Sequence, residues 1–84
     1  MLKVYGSYIC VECRDMRNRF EKEHILFEFV NITENTTNLK EFLRLRDKDA
    51  IFSNVRENGL IGIPFFVQDD KKTLDIEEAI SWIS

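Results

Sequence analysis

Cys10 and Cys13 are the only two cysteines of this 84-residue chain, and they are separated by Val11 and Glu12. Thiols at Cys-x-x-Cys spacing can exchange disulfides, or they can supply half of a metal site. The thiolate is the reactive form of cysteine. A cysteine at the first turn of a helix faces unpaired backbone N–H groups and the positive end of the helix dipole, and both favour the anion. Cys10 is therefore expected to be the exposed nucleophile. Cys13, one turn further in and on the apolar side, is expected to be the resolving thiol. In such a cycle Cys10 attacks a substrate disulfide, and Cys13 then attacks Cys10 and releases the reduced substrate. Glu12 sets a negative charge beside this chemistry, while Arg14 and Arg17 set positive ones nearby.

A zinc site needs about four ligands. The chain has no third cysteine and a single histidine, His24. A helix rises about 1.5 Å per residue, which sets His24 roughly 15 Å from the pair. His24 reads as a helix-end residue, and no metal site is expected. An iron–sulfur cluster or metal held through Cys10 between two subunits is the alternative, as is a pair of cysteines that only pack.

The elements that must position the pair can be read around it. Leu2 to Tyr5 is an apolar stretch ending at Gly6-Ser7, which suits a strand. Cys13, Met16 and Phe20 recur at helical spacing, predicting a helix from Cys10 to near His24. Phe27 and Phe29 alternate with Glu28, predicting a strand through Ile32. Asn38 with Glu41 has the pattern of a capping box and predicts the start of a helix through Leu39, Phe42 and Leu43. A second helical turn is expected from Ala50, through Phe52 and Val55, stopped at Asn58-Gly59. Phe65 to Gln68 reads as a strand, Asp69 to Lys72 as a tight turn, and Thr73-Leu74 as a short returning strand. Asp75 with Glu78 repeats the capping-box pattern ahead of Ile76, Ala79, Ile80 and Ile83, with Trp82 packing at the core or its edge. The order β-α-β-α-β-β-α predicts an α/β fold, a mixed sheet with parallel pairs closed by a hairpin.

Composition agrees with a single domain over residues 1–84: 44% hydrophobic and 32% charged residues, with a net charge of −3. Both signs of charge are interspersed. A dedicated nucleic-acid or membrane-surface binder would carry a basic excess, so neither partner is expected. The longest apolar run, Leu60 to Val67, is far below the roughly 18 residues of a membrane span. With no secretory pattern at the N-terminus, the expected location is cytoplasmic. Arg44, Arg46, Lys48 and Arg56 read as a solvated charged face, one of them holding a substrate carboxylate being the alternative.

Pro64 is the single proline and opens the strand Phe65-Phe66-Val67, about fifty residues after the cysteine pair. A strand followed by Cys-x-x-Cys and a helix, then an X-Pro strand, a turn, a strand and a helix, is the layout of the thioredoxin-like fold. The chain resembles a small glutaredoxin or glutaredoxin-like redoxin. The matching residues are Val4-Tyr5-Gly6-Ser7-Tyr8-Ile9-Cys10-Val11-Glu12-Cys13, then Ile63-Pro64-Phe65-Phe66-Val67, then Asp75.

The resemblance implies a four-stranded mixed sheet flanked by helices and a cis proline beside the cysteines. It implies a cytoplasmic dithiol oxidoreductase that reduces protein disulfides or glutathione mixed disulfides. Tyr8, Ile63, Pro64 and Asp75 would then bind the substrate or glutathione, with the Ile63 backbone pairing with the substrate backbone. No tightly bound cofactor is implied, with glutathione as a co-substrate, and a monomer is expected. The filler Val11-Glu12 is similar to the Val-Gln of redoxins that take electrons from thioredoxin reductase. The implied reductant is thus either glutathione or a thioredoxin-reductase-type flavoenzyme.

Overall fold

Seven phenylalanines in so short a chain need two faces of a sheet to bury them, and the chain supplies both. A computed structural model describes residues 1–83. Its elements are β1 (Leu2–Gly6), α1 (Val11–Lys22), β2 (Phe27–Asn31), α2 (Thr36–Arg46), a 3-10 turn (Ala50–Phe52) running into α3 (Ser53–Glu57), β3 (Phe65–Gln68), β4 (Lys71–Thr73) and α4 (Ile76–Ser81). The four strands form one mixed sheet in the order β2-β1-β3-β4. β1 pairs in parallel with β2, across the α1 crossover, and antiparallel with β3; β3 and β4 form the closing hairpin. The fold is α/β, as the sequence predicts. The helical segment between β2 and β3 is two separate pieces, one more than the simple element order requires.

Side chains on a strand alternate between faces, and here each face has its own core. Leu2, Val4 and Phe66 pack with Met16 and Phe20 of α1 and Ala79 of α4, with Trp82 and Ile76 at the margin. Tyr5 and Phe65 pack on the opposite side with Phe42 of α2, Phe52 of the 3-10 turn and Val55 of α3. Phe65 and Phe66 are neighbours in sequence and fill opposite cores. Five phenylalanines, at positions 20, 42, 52, 65 and 66, are essentially inaccessible, and burying each contributes about 2–3 kcal/mol. Phe52 meets Phe65 edge-on at 4.6 Å between ring centres, a favoured aromatic geometry. Glu41 ties α2 to β1 by accepting the Tyr5 hydroxyl at 2.6 Å and pairing with Lys3 at 2.9 Å. Those contacts, the Tyr5 hydrogen bond first, hold the Glu41 carboxyl below its ordinary range.

Helix ends show where local sequence decides and where it does not. α2 begins at Thr36, and its cap is Asn35, which accepts the Asn38 N–H at 2.8 Å. The expected cap, Asn38, lies inside the first turn and donates its side-chain amide to the Asn31 carbonyl. Only Asn38 has a Glu three residues on, so the capping-box pattern points to it; its contact to the end of β2 instead places it inside the helix, with Asn35 as the cap. β2 ends at Asn31, one residue short of Ile32. Asp75 caps α4 as expected, accepting from the Glu77 N–H. Its box is relayed rather than closed: the Asp75 N–H donates to the Thr73 hydroxyl, which donates to Glu78. α1 ends at Lys22, with His24 in the left-handed region at φ 56. Among the described residues no helix is long and apolar enough to cross a membrane.

Candidate functional site

β1 ends at a turn that is built inward. Ser7 is buried, and its hydroxyl shares a 2.6 Å hydrogen bond with Thr33. The same oxygen accepts the Ile9 N–H at 3.3 Å, and the Ser7 carbonyl accepts the Cys10 N–H at 3.2 Å. This turn delivers Cys10 to the N-cap of α1 in an extended conformation. N-caps usually carry a side-chain oxygen. Here the cap atom is sulfur: Cys10 Sγ accepts the Cys13 N–H at 3.3 Å. A backbone donor at the positive end of a twelve-residue helix thus points at the sulfur.

Both cysteines are free thiols; Cys10 is half-buried and Cys13 fully buried. Cys13 lies against the bare backbone of Gly6, where a Cβ would sit 3.0 Å from its sulfur and 2.8 Å from Phe29. Burial pushes the Cys13 thiol up to about 12, with the Cys10 sulfur and its charge adding to the effect, and a backbone contact from Ser7 opposing it. Two of those causes belong to Cys10. Both would weaken if Cys10 were tied up in a disulfide.

Ile63–Pro64 is a cis peptide bond. Pro64 stands between two grooves. One, of about 600 Å³, is lined by Cys10, Glu12, Leu60, Ile61, Ile63 and Leu74 among others. The other, of about 400 Å³, is lined by Glu12, Asp15, Arg19, Pro64, Leu74 and Asp75 among others. Glu12, Pro64 and Leu74 belong to both. The Ile63 N–H and C=O have no hydrogen-bond partner among the described residues. The backbone beside the cysteine is therefore open to pairing.

The expected site residues fall in three places. Cys10, Cys13, Ile63 and Pro64 converge at the head of α1. Asp75 lines the second groove, across Pro64, and its carboxylate is engaged in capping α4. Tyr8 does not line either groove. Its ring packs on Phe29 at 5.3 Å, with the Arg17 guanidinium 4.7 Å from the centre of each ring. That stack holds Tyr8 on the flank of Cys10 facing β2, away from Pro64. The residues that complete the groove wall, Leu60, Ile61 and Leu74, carry no motif. The one signal for Leu60 and Ile61 is the apolar run into Pro64, and Leu74 lies outside that run.

The basic residues between α2 and β3 are not all a solvated face. Arg46 donates to the carbonyls of Leu60 and Ile61. Arg56 donates to the carbonyls of Arg46 and Asp49, at 2.6 and 2.9 Å. Arg46 thus braces the groove wall, and Arg56 holds the Arg46 carbonyl in turn. Arg19 is held by Glu77 at 2.6 Å and Glu23 at 2.7 Å. This pairing raises the Arg19 pKa and lowers that of Glu77. No set of three or more His, Cys, Asp or Glu side chains among the described residues is arranged to hold a metal ion.

No family model matches the chain, and no solved structure matches it. A curated protein of Haemophilus influenzae, described as an uncharacterized protein, is 47% identical to it over 38 residues. The matched stretch covers 45% of this chain and 44% of that relative.

Proposed function

We propose that this chain is a dithiol thiol–disulfide oxidoreductase of thioredoxin-like, glutaredoxin-type fold, with Cys10 as nucleophile and Cys13 as resolving thiol. One observation carries the reading: Cys10 Sγ is the N-cap of α1, accepts the Cys13 N–H at 3.3 Å, and opens onto the groove walled by Ile63 and Pro64. A donor at that point stabilises negative charge on the sulfur, which is the form that attacks. The mixed sheet with flanking helices and the Cys-x-x-Cys pair at the head of α1 are what the fold assignment rests on.

The cycle runs in two exchanges. Cys10 thiolate attacks one sulfur of a substrate disulfide, and the other sulfur leaves as a thiolate. Cys13, losing its proton, then attacks Cys10 Sγ. The Cys10–Cys13 bond forms, the mixed disulfide breaks, and the second substrate sulfur leaves and is protonated. Two electrons have moved from the protein to the substrate. A substrate segment lying along Ile63 pairs with its open N–H and C=O. The oxidised pair is returned to dithiol by glutathione or by a thioredoxin-reductase-type flavoenzyme.

Cys10→Ser is expected to abolish disulfide reduction. Cys13→Ser is expected to accumulate a protein–substrate mixed disulfide, read by intact mass. Full reductase activity in Cys10→Ser would sink this mechanism. Turnover with NADPH and either glutathione plus its reductase, or thioredoxin reductase, identifies the electron donor.

A further inference from the structure

Disulfide exchange alone requires neither the apolar rim nor the acidic floor found beside Cys10. Leu60 and Ile61 on one side of the sulfur are 54% and 59% exposed, and Ile9 and Val11 on the other are 79% and 61% exposed. Large apolar side chains clustered around one reactive atom mark a contact surface. The charge beneath them is one-sided. The groove holding Cys10 has Glu12 in its lining and no cation. The adjoining groove has Glu12, Asp15 and Asp75, and its one cation is Arg19. Arg19 is already committed to Glu23 and Glu77. Arg17 stands on the opposite flank, between the rings of Tyr8 and Phe29. A ligand following Ile63–Pro64 therefore meets the unpaired carboxylates of Glu12 and Asp15, with the capping carboxylate of Asp75 beside them, and no uncommitted cation among the groove-lining residues.

Glutathione carries two carboxylates against one ammonium and suits that surface poorly. We propose that the grooves take an extended, apolar and positively charged segment of a disulfide-bearing partner protein. Apolar residues next to its cysteine rest on Leu60, Ile61 and Ile63, and a lysine or arginine reaches Glu12 and Asp15. This inference rests on the disulfide-exchange reading. The net step is balanced within it: the partner's disulfide gains two electrons and two protons and becomes two thiols, while the Cys10 and Cys13 thiols lose the same and form one disulfide. Charge complementarity of this kind acts mainly on the rate of encounter and is screened by salt.

The test uses three oxidants against the fully reduced protein. Two are short peptides in which a central cysteine, flanked by leucine, neighbours either lysine or glutamate, each as its mixed disulfide with 2-mercaptoethanol. The third is oxidised glutathione. Oxidation of the protein is followed by its loss of two hydrogens in intact mass. At about 0.02 M salt the lysine peptide is expected to react roughly tenfold faster than the glutamate peptide and oxidised glutathione, the gap narrowing to about twofold at about 0.5 M. The ratio is expected to approach one in a Glu12→Gln/Asp15→Asn double variant, whose substituted side chains are solvent-exposed. Equal rates, faster reaction of either anionic oxidant, or a preference that ignores salt and survives the double variant overturns the charge assignment and leaves exchange standing. Failure of all three to oxidise the protein overturns the exchange reading, and this inference with it.

Discussion

The two ends of α1 face the same physical problem and resolve it in opposite ways. Every helix leaves backbone donors unpaired at its start and carbonyls unpaired at its finish. At the start, sulfur takes one donor, and the flanking Ile9 and Val11 side chains stand exposed. At the finish, the backbone closes on itself. The His24 N–H reaches the Glu21 carbonyl at 3.2 Å, and the Ile25 N–H reaches the Phe20 carbonyl at 2.9 Å. This is a Schellman cap, with Ile25 and Phe20 in contact through the same core. Arg19 adds a link from α1 to α4 through Glu77. One end carries the Cys10 sulfur, the proposed nucleophile, in a lightly satisfied terminus. The other end holds the helix in place so that the first can stay open.

The sharpest way to break this comparison is a pair of substitutions at the two ends. Cys10→Ser is expected to take disulfide exchange to the uncatalysed level while changing stability by less than about 1 kcal/mol, because serine is a good N-cap. Denaturant unfolding run alongside the activity measurement checks both halves. Phe20→Ala is expected to do the reverse. It removes a fully buried ring and should cost about 3–5 kcal/mol, with the exchange rate of the folded fraction unchanged. A loss of rate per folded molecule in Phe20→Ala would show that the two ends are not independent.

A smaller effect concerns the inner thiol. Its pKa rises from an ordinary value of 9.0 to about 12 on folding. Between those values the unfolded chain has lost the Cys13 proton and the folded chain keeps it. The resulting stabilisation is complete below about pH 9 and declines as pH rises towards 12. Unfolding midpoints measured from about pH 8 to about pH 10.5 should fall more steeply for the native sequence than for Cys13→Ala. Parallel slopes would mean that burial does not hold the proton.

The smallest effect lies at the closed end. His24 occupies the left-handed region at φ 56, whereas the matching position after α3 is Gly59, at φ 67. There the Leu60 N–H reaches Val55 and the Gly59 N–H reaches Arg56, the same cap. His24→Gly should raise stability by a few tenths to about 1 kcal/mol, by removing the Cβ penalty. Thermal unfolding at equal pH measures it, and destabilisation would mean that the imidazole contributes more than its backbone costs.

The cysteine end of α1 was the most legible part of the molecule. Cys13, Met16 and Phe20 share one apolar face in sequence, and they are the buried residues of α1. Asn58-Gly59 and Asp75 likewise act where local chemistry points, since turn and cap residues work through contacts a few positions away. Legibility fails where a partner lies far along the chain. Nothing local to Arg46 or Arg56 reveals that they grip carbonyls of the groove wall and of the α2–α3 connection. The family resemblance implies a groove position for Tyr8, two residues before the cysteine. Phe29 and Arg17 hold it on the other flank, a contact between β2 and α1 that spacing near Cys10 cannot encode.

The grip of Arg46 on Leu60 and Ile61 bears on the tempo of the molecule as well as on its shape. A groove wall made of a free loop would have to be caught in the right posture by each arriving partner, and every visit would carry that delay. Here the Arg46 guanidinium fixes the carbonyls of the wall from behind, and Arg56 fastens the Arg46 carbonyl in turn. The jaw is set before anything enters it. Ordering it is part of folding, so under the proposed function docking is a rigid-body collision followed by sulfur chemistry.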